Sequence, residues 1–250
     1  LIDLPTSTLL AAAAIVTLGY VVYGLTGFGS SIVAVPLLAL FFPLRFAVPM
    51  MLVFDLLTGL LLGLRNHRDL SRSELLRLLP IVAVGMVGGV TLLVHVDEQW
   101  LMLGLGSFVV AYASWSLFSR AVPAPVSARW AWPAGLLGGG FTALYGTGGP
   151  IYTIYLARRI GDKVQLRATI GVLIFCTALI RLLLFTGNGF YRQPGLLSLA
   201  FGLLPCAVTG YLGGTWLHTR MPTRRAVQAV WVLLALGGTS LVSRALLQLT

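Results

Sequence analysis

Two short glycine phrases constrain this chain more than any other feature. Gly27-Phe28-Gly29-Ser30-Ser31-Ile32 returns as Gly146-Thr147-Gly148-Gly149-Pro150-Ile151, 119 positions later (146 − 27). Each copy lies near the middle of an apolar stretch, 8–42 and 131–157, that is too long for one simple membrane span. In hydrocarbon, non-helical backbone survives only where protein or a water-filled cavity covers it. The pattern therefore predicts two hairpins of short helices, or two broken helices, hinged on the glycines. Paired breaks in corresponding places of two halves point to a transporter's binding site.

Composition sets the same frame. Of 250 residues, 58% are hydrophobic and only 10% charged, whereas a soluble domain carries roughly 25% charged residues. Further apolar runs near 46–64, 75–94, 99–118, 164–186, 196–217 and 225–247 can each cross a bilayer. They fill the chain and leave no room for a soluble catalytic domain. The net charge of +10 sits in short loops: Arg65, Arg68, Arg72 and Arg77; Arg158, Arg159, Lys163 and Arg167; Arg220, Arg224 and Arg225. This is the distribution of the positive-inside rule rather than a continuous basic face, so nucleic acid is not an expected partner. Cys176 and Cys206 lie inside apolar runs without metal-ligand spacing. The chain starts at Leu1, and Asp3 stands where a signal peptide would carry basic residues, so no cleaved leader is expected.

Loop charge gives the sidedness. The basic loops at 65–77, 119–130, 158–163 and 218–225 belong in the cytoplasm, and the 95–99 loop with Asp97 and Glu98 outside. Alternation then puts 187–195 and 43–45 outside, despite Arg45, and both termini on the outer side. The first hairpin enters from outside and the second from the cytoplasm, which makes the two halves inverted. A second match supports duplication: Leu79-Pro80 with Gly85-x-x-Gly88-Gly89 against Leu204-Pro205 with Gly210-x-x-Gly213-Gly214, offset by 125 (205 − 80). Ala47 and Phe54 match Ala168 and Phe175 at 121 (175 − 54). The expected fold is an all-α polytopic membrane protein of two inverted-topology repeats, each a glycine-broken helical hairpin plus three transmembrane helices. Residues 1–118 and 131–250 form the repeats, with 119–130 as a cytoplasmic linker. The pairs Gly85/Gly89, Gly210/Gly214 and Gly59/Gly63 have small-xxx-small spacing and read as helix-packing surfaces.

The glycine breaks, the Leu-Pro…Gly-Gly helices and the inverted duplication together resemble the TauE/SafE (TSUP) family of sulfite and organosulfonate transporters, from about Ala14 to Val242. The resemblance implies transport, with export the expected direction, of small sulfur-containing anions across a bacterial inner membrane. It does not fix which anion. One departure is visible: the first copy reads Gly29-Ser30-Ser31 where relatives carry a glycine run, which trades backbone freedom for two hydroxyl donors.

An anion needs donors and positive potential, and a lone mid-membrane Lys or Arg is expensive. Helix N-termini supply unpaired N–H groups and about half an elementary charge. Helices starting near Ser30 and Pro150 are therefore expected to aim at one central anion site. Its candidate residues are Thr26, Gly27, Phe28, Gly29, Ser30 and Ser31 from the first copy, with Tyr145, Gly146, Thr147, Gly148 and Gly149 from the second. Phe28 and Tyr145 would wall or gate the cavity. The plainer reading is that the glycines only permit tight turns and that each hydroxyl bonds its own helix.

Two charges lie inside spans. Asp55 is a candidate proton carrier, because burial favours the neutral form of a carboxyl, with a structural hydrogen bond as the alternative. Arg181 is expected to snorkel to the interface; attracting anions or pairing with Asp55 are its other uses. His67, His95 and His218 are scattered near span ends, so neither a metal nor another cofactor is expected. No catalytic constellation occurs within the spans, which argues against an intramembrane enzyme. A passive anion channel, a carrier of a different small organic anion, and a homodimer all remain compatible with the sequence.

Overall fold

The computed structural model describes residues 5–27, 29–63, 70–118, 125–220 and 237–247, and these are helical with short connections. The helices are α1 (Thr6–Thr26), α2 (Ser30–Leu38), α3 (Leu44–Gly63), α4 (Arg72–His95), α5 (Glu98–Phe118), α6 (Ala131–Tyr145), α7 (Gly149–Ala157), α8 (Lys163–Gly187) and α9 (Leu196–Arg220). A tenth, α10, covers 237–247. α1, α4, α8 and α9 are each long and apolar enough to cross a membrane. The run expected at 225–247 is described only from residue 237.

The two long stretches resolve as helix–break–helix. α1 ends at Gly27, whose φ of 82° lets its N–H return to the Tyr23 carbonyl at 2.7 Å. α6 ends in the same way at Gly146, φ 71°, with its N–H on the Thr142 carbonyl at 2.9 Å. Both are left-handed helix stops that glycine adopts without a Cβ penalty. After three residues the chain turns helical again, at Ser30 and at Gly149. Pro150 sits in the first turn of α7, where its missing N–H removes no helix bond.

The described chain divides into two compact units, neither a contiguous half. One comprises Leu1–Met51, Val96–Arg120 and Arg192–Thr250; the other comprises Leu52–His95 and Ala121–Tyr191. In the first unit α1 packs on α9, and α2 doubles back over α1 at Gly19, where an added Cβ would touch Ala34 and the Ser30 carbonyl. Gly210 of α9 sits on the Thr17 carbonyl, and Gly214 on the Val21 carbonyl and the Gly24 backbone. In the second unit α6 packs on α4, and Gly138 takes the ring of Tyr152 from α7. Gly85 of α4 sits on the Leu136 carbonyl, and Gly89 on the Gly140 carbonyl and Ala143.

These contacts correspond member by member. Thr17, Gly19, Val21 and Gly24 become Leu136, Gly138, Gly140 and Ala143 on adding 119 (136 − 17), while Gly210 and Gly214 become Gly85 and Gly89 on subtracting 125 (210 − 85). Each broken hairpin packs against the Gly-Gly helix from the other part of the chain. Gly85, Gly89, Gly210 and Gly214 are packing surfaces as expected, because only a missing Cβ lets a helix rest on its neighbour's carbonyls; the surroundings of Gly59 and Gly63 lie outside what the structure describes. A Cβ added at Gly88 or Gly213, the central members of the two motifs, would meet open space.

Candidate functional site

At the second break a single residue, Thr142, gathers the elements. Its carbonyl accepts the Gly146 N–H at 2.9 Å and Arg181 Nη1 at 3.1 Å. Its hydroxyl donates to the Gly138 carbonyl at 2.7 Å and lies 2.7 Å from the Tyr152 hydroxyl on α7. Gly148 is pressed against the same hydroxyl, so that any Cβ there would overlap Thr142 Oγ1 and the Gly138 carbonyl. The last turn of α6, the break and the first turn of α7 are thus locked around one side chain.

Arg181 does not snorkel. It is 3% exposed, and its Nη2 donates to Asp55 Oδ2 at 2.9 Å, Asp55 being 8% exposed. The reason is local. The end of α6 offers the negative end of a helix dipole and the Thr142 carbonyl, which accepts Arg181 beside the Gly146 N–H, and Asp55 on α3 supplies a counter-charge. Together they make a buried guanidinium less costly than an isolated one. Arg181 Nε is buried without a hydrogen-bond partner among the described residues. The Thr147 hydroxyl, on a residue only 1% exposed, is in the same condition. Two buried donors with nothing to bond are unusual, since such groups are nearly always satisfied.

The first break is built differently. Gly29 has φ 95° where its counterpart Gly148 has φ −70°, so the second glycine of the phrase is left-handed in one copy and right-handed in the other. Ser30 and Ser31 are buried at the start of α2. The Thr26 hydroxyl donates to the Val22 carbonyl at 2.9 Å, the plain helix-bonding role. Phe28 lies outside the described residues. Tyr145 is buried with its ring tilted against Phe141 at 5.7 Å.

One acid escapes the sequence reading. α4 begins at Arg72, three residues before the expected span, and so takes in Glu74, which is 4% exposed. Glu74 accepts from Arg77 at 2.9 Å, from Arg159 Nη2 at 2.8 Å and from the Tyr155 hydroxyl at 2.7 Å. Arg159 Nη1 also reaches the Val126 carbonyl at 3.2 Å. α7 is therefore anchored at both ends, by Tyr152 to Thr142 and by Tyr155 to Glu74. The available signal was Ser71-Arg72-Ser73-Glu74, a capping-box spacing that marks a helix start. Among the described residues no cluster of His, Cys, Asp and Glu could hold a metal.

Residues 11–241 match the family model described as Sulfite exporter TauE/SafE. The chain is 27% identical over 199 residues to "Probable inner membrane transporter protein TsaS" of Comamonas testosteroni, covering 77% of this chain and 81% of that protein. No solved structure matches.

Proposed function

This chain belongs to the sulfite exporter TauE/SafE family of membrane transporters, and on that premise we propose that it is a secondary exporter of small sulfur-containing anions such as sulfite or sulfonates. The observation that carries the reading is the arrangement at Thr142. A nine-residue helix, α7, starts at the glycine break and sets the positive end of its dipole there. The guanidinium of Arg181 bonds the residue that stops α6, and the unpartnered Thr147 hydroxyl lies in the loop itself. Dipole, cation and donor converge on one short segment, which is what a tetrahedral or pyramidal oxyanion requires.

The first break is, in this reading, an anion-contacting segment in its own right, with Gly27, Gly29, Ser30 and Ser31 selecting among anions. The reciprocal packing of the two hairpins supports a duplicated chain, and loop charge supports its inversion. The name of the Comamonas testosteroni relative supports an inner-membrane location.

Asp55 gives a route to proton coupling. Its pairing with Arg181 sets an ionisable acid beside the buried cation, and exchange of an incoming proton for an outgoing anion is the coupling that fits an exporter. Flux through the reconstituted protein decides between carrier and channel. Saturable sulfite flux that responds to a pH gradient is expected, whereas high ohmic conductance would favour an anion channel. A thermal-shift screen of the purified protein against sulfite, thiosulfate, sulfoacetate, taurine and simple carboxylates names the class. Stabilisation by carboxylates alone would overturn the sulfur-anion reading.

A further inference from the structure

The second unit also holds a pocket of about 240 Å³ between the first half of α6 and α7, lined along α7 from Ile151 to Arg158. Trp130 and Leu137 form one wall and Ile151, Ile154 and Tyr155 the other, with Arg158 at the end. The Tyr155 hydroxyl is turned away to Glu74, so Arg158 brings the charge to an otherwise apolar slot. Its neighbour Arg159 is committed to Glu74, but Arg158 Nε is buried without a hydrogen-bond partner among the described residues. A buried guanidinium nitrogen left unpaired is destabilising until an acceptor arrives.

The lip of the slot tells what kind of molecule carries that acceptor. Trp130 and Leu137 are 59% and 57% exposed, an apolar rim suited to hydrocarbon. The volume falls below the roughly 300–1,000 Å³ of an enclosed small-molecule site, so it fits one end of a flexible amphiphile whose remainder lies outside. Arg129 precedes Trp130 in a short 3-10 turn, adding a second basic residue to the same segment, and basic pockets beside membrane helices take anionic head groups. We propose that this slot seats an acyl chain of an anionic phospholipid, with the phosphate on Arg158. The site is separate from the anion-transport reading and does not depend on it.

Native mass spectrometry of the full chain, released from micelles doped with equal phosphatidylglycerol and phosphatidylcholine, tests the assignment. Phosphatidylglycerol should be retained preferentially, and Arg158→Gln should weaken that retention by about tenfold or more. Arg158→Lys should keep most of it. Leu137→Trp, which narrows the slot at an exposed position and leaves the charge in place, should also reduce retention. Equal retention in wild type and Arg158→Gln would overturn the proposal. So would displacement of the lipid by millimolar inorganic phosphate, because the acyl contacts would then contribute nothing. A loss confined to Arg129→Gln would move the head group elsewhere and overturn it equally.

Discussion

Thr147→Val separates the transport reading from its structural alternative because the two predict opposite signs for stability and affinity. The Thr147 hydroxyl is buried and bonds nothing among the described residues. Valine keeps the branched shape and removes a polar group left unpaired. A buried donor without a partner is destabilising by about 1–3 kcal/mol, so the variant should be as stable as the wild type or more so. At about 2–4 °C of Tm per kcal/mol for a chain of this length, the rise is measurable by thermal denaturation in detergent. If the hydroxyl donates to a bound anion, the same change removes a hydrogen bond to a charged group. That is worth about 1.5–3 kcal/mol, or on the order of 10- to 150-fold in Kd. Thr147→Ser, which retains the donor, should stay within a few-fold of wild type. The assay is Kd for sulfite, measured beside Tm on the same preparations. Unchanged affinity in Thr147→Val refutes the role, and so does a fall in stability, since the hydroxyl would then have a structural partner.

Other variants follow from the same contacts. Asp55→Asn should lower stability by about 3–5 kcal/mol by stranding the Arg181 guanidinium, and Asp55→Asn with Arg181→Met should recover most of it; chemical denaturation reads both. If Asp55 also couples protons, the single variant's remaining flux should no longer respond to a pH gradient in proteoliposomes, and an unaltered response rejects coupling. Gly148→Ala should disrupt the fold, because its methyl would overlap Thr142 Oγ1 and the Gly138 carbonyl. Gly29→Ala should be milder, at about 1–2 kcal/mol for a left-handed residue, since its Cβ meets only Ile32 at 3.4 Å; the ranking is checked by Tm. Gly89→Ala and Gly214→Ala should destabilise by similar amounts, as both place a methyl on a helix carbonyl, and a wide difference would count against equivalent packing.

The helices and breaks were legible because they rest on local signals: apolar length, proline position, and glycine where the backbone turns left-handed. The destination of a charged side chain was not legible in the same way. Whether Arg181 reaches the interface or a carboxylate depends on which helix lies opposite, and periodicity along α8 carries no record of α3 or of the end of α6. Glu74 was hidden for a different reason. Flanked by Arg72 and Arg77 it resembled a loop charge, and only the Ser71-x-x-Glu74 spacing marked the helix start that buries it. The Thr26 hydroxyl took its plain role, while Thr147 did not, although the two residues read alike in sequence. Their difference comes from the backbone: Thr26 closes a regular helix with the Val22 carbonyl in reach, whereas Thr147 lies beyond the left-handed Gly146, where no i−4 carbonyl is presented to its side chain.

The two sequence offsets acquire their force from the contacts that join them. Glycine-rich membrane helices resemble one another by chance in their letters, because Gly, Ala and Leu recur in most of them. Chance does not also preserve which residue meets which. Here Gly210 on Thr17 and Gly214 on Val21 reappear as Gly85 on Leu136 and Gly89 on Gly140, although hairpin and helix shift by different amounts, 119 and 125 (136 − 17 and 210 − 85). The six-residue difference falls between the packed segments, where an inserted loop leaves the contact unchanged. A hairpin whose main packing is on the helix of the other part accounts for the discontinuous compact units. The packing glycines thus match between the two segments, whereas the break residues Gly29-Ser30-Ser31 and Gly148-Gly149-Pro150 differ.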